Sequence, residues 1–242
     1  MRSALISDVH GNLEALQAVL SDIASQKVDT VHCLGDVVGY GADPRACLRL
    51  VMQSCDVRIM GNHEAAVLGL ESTDQYLEDA RTASEWTRRQ LDDDDLAELG
   101  KFELQRPLDD CFLVHASPYR PQQWRYVLGL TEAVLALESL SGPMGFNGHS
   151  HIPTIVSLDP AGRPRFKTGH DFEPNRDVKY LINVGSVGQP RDNDPRACYV
   201  VFDHDEYQIC YRRVPYDVDA AQRKMAAAKL PEFLINRLAA GV

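Results

Sequence analysis

The stretch Ala4-Leu5-Ile6-Ser7-Asp8-Val9-His10-Gly11-Asn12 reads as a strand, a short loop and the start of a helix. Its apolar run stops at Ser7-Asp8, and Asn12 stands at an N-cap position before Leu13, Leu16, Leu20 and Ile23 at helical spacing. The unit recurs. Val31-His32-Cys33-Leu34 ends at Gly35-Asp36 and leads into a helix predicted from about Pro44 to Met52, and Val57-Arg58-Ile59-Met60 ends at Gly61-Asn62. Strand, loop and helix in repetition are the pattern of an α/β protein with a mainly parallel sheet under covering helices.

Further along, residues from about Asp74 to Leu99 read as helical and acidic, with Asp92-Asp93-Asp94-Asp95 as a solvated, N-capping turn. Phe102-Glu103-Leu104 and Cys111-Phe112-Leu113-Val114 flank Pro107-Leu108-Asp109-Asp110, a hairpin turn by composition. A helix near Thr131 to Leu140 precedes Met144-Gly145-Phe146-Asn147, which ends at Gly148-His149. The remainder reads as antiparallel: Thr154 to Leu158, Arg165 to Thr168, Tyr180 to Val184, Ala197 to Phe202 and Gln208 to Val214. A last helical stretch begins near Asp217 and is interrupted at Pro231. No repeat, linker or boundary is visible, so one domain over 1–242 is expected.

The 242-residue chain carries 25 basic and 35 acidic side chains, a formal net charge of −10. With 44% hydrophobic and 25% charged residues it has a globular composition and enough chain for a sizeable core, which excludes disorder and collagen-like repeats. No run approaches the roughly 20 apolar residues of a membrane-spanning helix. Met1-Arg2-Ser3-Ala4-Leu5-Ile6-Ser7-Asp8 turns polar too soon for a signal peptide, and a cytoplasmic location is expected. The acidic balance argues against salt-driven binding to duplex nucleic acid. A small phosphorylated ligand is compatible with it, because bound divalent ions supply positive charge locally. The cysteines (Cys33, Cys47, Cys55, Cys111, Cys198 and Cys210) form no CxxC pair and are expected to be buried, reduced thiols rather than a zinc site.

Chemistry collects where the strands end. Asp8 and His10 follow the first, Asp36 the second, Asn62 and His63 the third, His115 the fourth, and His149 with His151 the fifth. The carboxyl ends of strands in an open α/β sheet share one edge, where ligands bind, so residues far apart in sequence are expected in one crevice. Carboxylate, imidazole and amide donors without a thiolate suit Mn²⁺, Fe²⁺ or Zn²⁺. A lone Asp-x-His arises by chance, but His10, His63, His115, His149 and His151 all falling just behind strands points to a metal centre. His32 inside a strand, and His170 and His204 in polar loops, read as structural, and Trp86 and Trp124 as packing.

Ser7-Asp8-Val9-His10-Gly11-Asn12, Gly35-Asp36, Gly61-Asn62-His63-Glu64, Val114-His115-Ala116-Ser117-Pro118 and Gly148-His149-Ser150-His151, as an ordered set, resemble the calcineurin-like metallophosphoesterases. Asn183-Val184-Gly185-Ser186-Val187-Gly188-Gln189-Pro190-Arg191-Asp192 is similar to their small YfcE-like branch in bacteria and archaea. The resemblance implies an αββα sandwich with mixed β-sheets and a site for two divalent metal ions, manganese first, with iron, zinc, nickel or cobalt as alternatives. By the same resemblance Asp8, His10 and His151 would hold one ion, Asp36 would bridge both, and Asn62, His115 and His149 would complete the second. His63 matches the family's catalytic histidine, which serves the leaving oxygen without binding metal. Two cations about 3.5–4 Å apart can clamp a phosphoryl group and acidify a bridging water, whose hydroxide would attack phosphorus in line.

The chain departs from the protein-phosphatase branch, which carries Gly-Asp-x-x-Asp-Arg-Gly. Here the run is Gly35-Asp36-Val37-Val38-Gly39-Tyr40-Gly41, without the Asp that orients the catalytic histidine or the Arg that grips phosphate. Glu64 is a poor replacement for that Asp, because adjacent side chains on a helix do not face each other. Arg191 is the candidate substrate-binding residue, beside Gly185 and Gly188, which allow close backbone approach to a ligand. Tyr40, Asn12 and Arg196 are further candidates for the cleft. A monoester carries more charge than a diester and gains more from a bidentate guanidinium. Hydrolysis of phosphodiesters in a small phosphorylated substrate, nucleotides among the candidates, is therefore the expected function. The alternatives are a phosphomonoesterase, a protein phosphatase or a dinucleoside polyphosphate hydrolase on the same site, or a non-catalytic metal-binding scaffold. No membrane partner is expected, and oligomeric state is not legible.

Overall fold

The computed structural model describes residues 1–74, 76–159 and 161–242. Its strands are β1 (Arg2–Ile6), β2 (Thr30–Cys33), β3 (Val57–Arg58), β4 (Gln105–Pro107), β5 (Phe112–Val114), β6 (Met144–Asn147), β7 (Thr154–Leu158), β8 (Pro164–Thr168), β9 (Tyr180–Asn183), β10 (Ala197–Asp203) and β11 (Gln208–Val214). The helices are α1 (Leu13–Ser25), α2 (Pro44–Ser54), α3 (Asn62–Val67), α4 (Glu78–Gln90), α5 (Asp93–Leu99), α6 (Leu130–Glu138), α7 (Val218–Ala227) and α8 (Glu232–Ala240).

The strands form two sheets, ordered β11-β10-β1-β2-β3 and β4-β5-β6-β9-β7-β8. Successive strand side chains point to opposite faces, and this alternation builds the layers. On β1 and β10, Ala4, Ile6, Ala197, Tyr199 and Val201 pack with Leu16, Val19, Leu48 and Val51 of α1 and α2. Their alternates Leu5, Val200 and Phe202 pack with Leu34, Ile59, Leu113, Phe146 and Ile182 between the two sheets. On the far side of the second sheet, Phe112, Val114, Val156 and Leu181 meet Ala133, Ala136 and Leu137 of α6. The result is helix, sheet, sheet, helix: the αββα sandwich with mixed sheets.

Two expectations change. The parallel strands divide between two sheets, β1-β2-β3 and β5-β6-β9, instead of forming one. The later strands are not all antiparallel, since β9 lies parallel to β6 while it pairs antiparallel with β7. Smaller differences concern boundaries. The hairpin around Pro107 is real, but its first strand is Gln105–Pro107, and Glu103 instead bridges to Ile59. The acidic helical region starts at Glu78 and breaks at Leu91-Asp92; Gln75, within the expected stretch, lies outside the described residues. Asp92 and Asp95 cap each other's backbone N–H groups at the start of α5 and both pair with Arg45, so the aspartate run caps a helix as expected. Asn12 caps α1 by accepting the Ala15 N–H at 3.1 Å. Among the described residues no helix is long and apolar enough to cross a membrane. All six cysteines are free thiols, five of them buried.

Candidate metal centre

The carboxyl ends of β1, β2, β3, β5 and β6 converge from both sheets on one buried point. Asp8, His10, Asp36 and His151 each place a ligand-capable atom within 4.8 Å of the others, and Asp36, His115 and His149 do the same. Asp36 belongs to both groups. All six side chains are buried. The loops that deliver them are strained: Asp8, His10, Asp36, Tyr40, His149 and His151 have φ between 48° and 67°, the left-handed region that non-glycine residues avoid. Backbone bonds hold these turns, including Asp8 N–H to Gly35 O and His10 N–H to Asp36 O, both 2.9 Å.

The hydrogen bonds around the imidazoles fix where their lone pairs point. Nδ1 of His10, His115 and His151 faces the carbonyls of Val38 (3.1 Å), Leu34 (2.8 Å) and Gln189 (2.6 Å). A carbonyl only accepts, so each Nδ1 carries a proton, and each ring when neutral turns a bare Nε2 inward. His10 Nε2 and His151 Nε2 then confront each other at 3.1 Å, with Asp8 Oδ1 3.3 Å from His151 and Asp36 Oδ2 3.7 Å from His10. His115 Nε2 faces Asp36 Oδ2 at 3.2 Å. Acceptors aimed at acceptors in a buried site call for cations between them. Asn62 Oδ1 and His149 Nε2, buried and without any partner, offer two further free donor atoms. The donor set fits divalent ions bound by nitrogen and oxygen. With protons alone, the Asp36 carboxylate lifts His115 to about 9 against the lowering effect of burial. Burial drives His149 to about 3, and the charge on His115 adds to it.

His63 stands beside this cluster. Its backbone N–H donates to Asp36 Oδ1 at 2.9 Å, and its ring packs edge-on to His10 and Tyr40, with centroids 4.8 and 4.5 Å away. Its Nδ1 has no partner, and burial lowers its pKa to about 4. Gly39, at φ 88°, leaves room for that ring, since a Cβ there would collide with it. Arg191 donates its backbone N–H to His151 O at 3.3 Å and its guanidinium to Gln189 Oε1 at 2.8 Å, with Cζ 5.9 Å from the Tyr40 ring centre. Among the described residues it has no carboxylate partner. Tyr40 thus joins the site. Asn12 does not, because both ends of its amide are used, Oδ1 by Ala15 and Nδ2 by Gly188 O. Arg196 pairs with Asp194 at the surface. The close approach allowed by Gly188 is to the Val9 carbonyl rather than to a ligand. Trp86 packs on the α7–α8 cluster as expected. Trp124 packs on the core, and it also stands 6.1 Å from the His115 ring and lines a cavity beside the site.

Two residues went unrecognised in the sequence. Glu64 does not orient His63; its carboxylate accepts the N–H groups of Asp36, Val37, Val38 and Gly61, tying the second loop to the start of α3. Its place three residues after Gly61, where a carboxylate reaches back to the helix start, was the available signal. Burial, with the Asp36 charge beside it, pushes Glu64 up to about 7, while the Val38 and Gly61 N–H groups pull it down. Glu64→Ala leaves four buried N–H groups unmatched. At about 1–3 kcal/mol for an unsatisfied group, partly offset by water, thermal unfolding should show a loss of at least ~3 kcal/mol. The second residue, Tyr76, accepts Asn62 Nδ2 at 2.9 Å and so turns Asn62 Oδ1 free. Tyr76→Phe should weaken metal binding by about tenfold in calorimetric titration while the fold stays intact.

A family model for the calcineurin-like phosphoesterase superfamily domain matches residues 1–207. An uncharacterized protein of Methanocaldococcus jannaschii is 38% identical over 98% of this chain and 97% of its own length. The crystal structure of a metallophosphoesterase from Sphaerobacter thermophilus superposes with a TM-score of 0.88 at 40% identity, covering 100% of this chain and 99% of that one. A hypothetical protein from Pyrococcus horikoshii shares the fold at a TM-score of 0.79 and 17% identity, over 100% and 98% of the two chains. With the family's fold and a buried Asp/His cluster suited to its divalent metals, the chain belongs to the calcineurin-like phosphoesterase superfamily.

Proposed function

We propose that the protein is a hydrolase of phosphodiesters that works with two divalent metal ions. Asp8, His10 and His151 would hold one ion, Asn62, His115 and His149 the other, with Asp36 available to both. The observation that carries this reading is the pair of buried donor groups with Asp36 common to both. When bound, such ions supply positive charge at the phosphoryl oxygens and acidify water.

The chain's own groups do the rest. Asp36 fixes His63 through the backbone N–H it accepts. Kept uncharged at neutral pH by burial, His63 offers an imidazole N–H to the leaving oxygen. Arg191, free of carboxylates, binds a non-bridging phosphoryl oxygen. Tyr40 backs both His63 and Arg191. Diesters are favoured because a cavity of about 620 Å³ opens against Asn62 and His149, room for a second ester group. In chelator-stripped protein restored with Mn²⁺, kcat/KM for bis(p-nitrophenyl) phosphate should exceed that for p-nitrophenyl phosphate by at least ~10-fold. A preference for the monoester would overturn the diester assignment.

A further inference from the structure

The cavity beside the centre has a distinct chemistry. Its floor is Asn62 and His149. Its walls are the rings of Tyr76, Trp124 and Tyr126, with Tyr126 stacked on His149 at 4.1 Å between centroids and 22° between planes. Among the described residues the charged ones lining it are Glu71 and Asp74, both carboxylates. Arg125 lines the neighbouring small cavity and bonds Gln123, and Arg191 sits against Gln189 and Tyr40; neither lines this one. An anionic extension of the substrate, such as a further phosphate, would meet like charge here. A cation would meet the negative faces of aromatic rings and a carboxylate pair, in a cleft whose walls focus the field.

We infer that this cavity is a specificity pocket for an ammonium-bearing ester group, so that the preferred substrates are phosphodiesters of amino alcohols. The inference rests on the phosphodiesterase reading and adds the class of alcohol. The pocket's volume of about 620 Å³ leaves room for a trimethylammonium group. The electrostatics of the two partners match: the phosphate goes to the centre and Arg191, and the ammonium goes to Glu71, Asp74 and the aromatic walls.

The test compares p-nitrophenyl phosphocholine with p-nitrophenyl 3,3-dimethylbutyl phosphate, which replaces the ammonium nitrogen by carbon at equal shape. On the Mn²⁺-loaded protein the choline ester should be favoured in kcat/KM by roughly tenfold or more. In the double variant Glu71→Gln, Asp74→Asn the ratio should fall to near one. Binding is read separately by titrating choline chloride against sodium chloride at equal ionic strength and following tryptophan fluorescence. The saturable change seen in the wild type should vanish in Trp124→Leu and shift to higher concentration in the double variant. A ratio at or below one in the wild type, or a ratio unchanged in the double variant, overturns the inference. If neither ester is cleaved but choline still binds and the double variant weakens that binding, the pocket stands and the phosphodiesterase reading falls. If neither is cleaved and choline does not bind, both fall.

Discussion

Asp36→Asn removes metal and activity together: after dialysis the variant should retain little metal, and kcat/KM should fall by ~10³-fold or more, about 4 kcal/mol of transition-state stabilisation. The substitution keeps the side-chain volume, and the amide oxygen can still accept the His63 N–H that Asp36 Oδ1 now accepts at 2.9 Å. What disappears is the negative charge common to the two donor groups. The charged contact between Asp36 Oδ2 and His115 Nε2, now 3.2 Å long, becomes an ordinary hydrogen bond at best. The metal-free variant is therefore expected to melt below metal-free wild type, because the carboxylate that lifts His115 to about 9 is gone. Metal content by atomic emission and a melting curve on the same sample check both halves. Full metal retention would remove Asp36 from its shared position.

His63→Ala separates chemistry from metal binding. Its ring stands edge-on to His10 without joining either donor group, so metal content should stay at the wild-type level. The rate should drop by about 10²–10³-fold, the usual worth of one positioned hydrogen-bond donor to an oxygen that gains charge. The loss should grow with the basicity of the leaving group, being larger for a methyl p-nitrophenyl diester cleaved at methanol than for cleavage at p-nitrophenolate, which needs little help. The pH dependence follows from burial, which holds the imidazole near 4. Above pH 6 the ring is already neutral, so the ratio of wild-type to variant rates should stay constant from pH 6 to 8. A ratio that rises as pH falls would mean that the protonated ring is the working form. An unchanged rate would remove His63 from the mechanism.

Much of this could be read from the chain because the chemistry sits where local patterns end. Asp8 and Asp36 stop short apolar runs that read as strands, and that alone brought them to one sheet edge. The sheets themselves were less legible. Apolar runs identify β9 and β10 as strands, but nothing local says that β9 lies parallel to β6 or that β10 returns beside β1; those pairings are decided by burial between two sheets. The strained backbone at His10, His149 and His151 was hidden for a similar reason, since only glycine advertises a left-handed turn in sequence. Tyr76 meets Asn62 from a loop fourteen residues on, a contact without a spacing rule. Asn12 and Arg196 show the converse: polar residues near the motif whose hydrogen-bonding groups are already taken, by Ala15 and Gly188 for Asn12 and by Asp194 for Arg196.

The central claim, that the buried Asp, His and Asn cluster holds divalent metal for phosphodiester hydrolysis, is tested most directly by titrating chelator-stripped protein with Mn²⁺. Bound metal and cleavage of bis(p-nitrophenyl) phosphate are followed on the same samples. The account predicts no hydrolysis in the stripped protein, and activity that rises with binding and levels off at two ions per chain. Hydrolysis that persists without metal, or a chain that takes up no stoichiometric Mn²⁺, would contradict it.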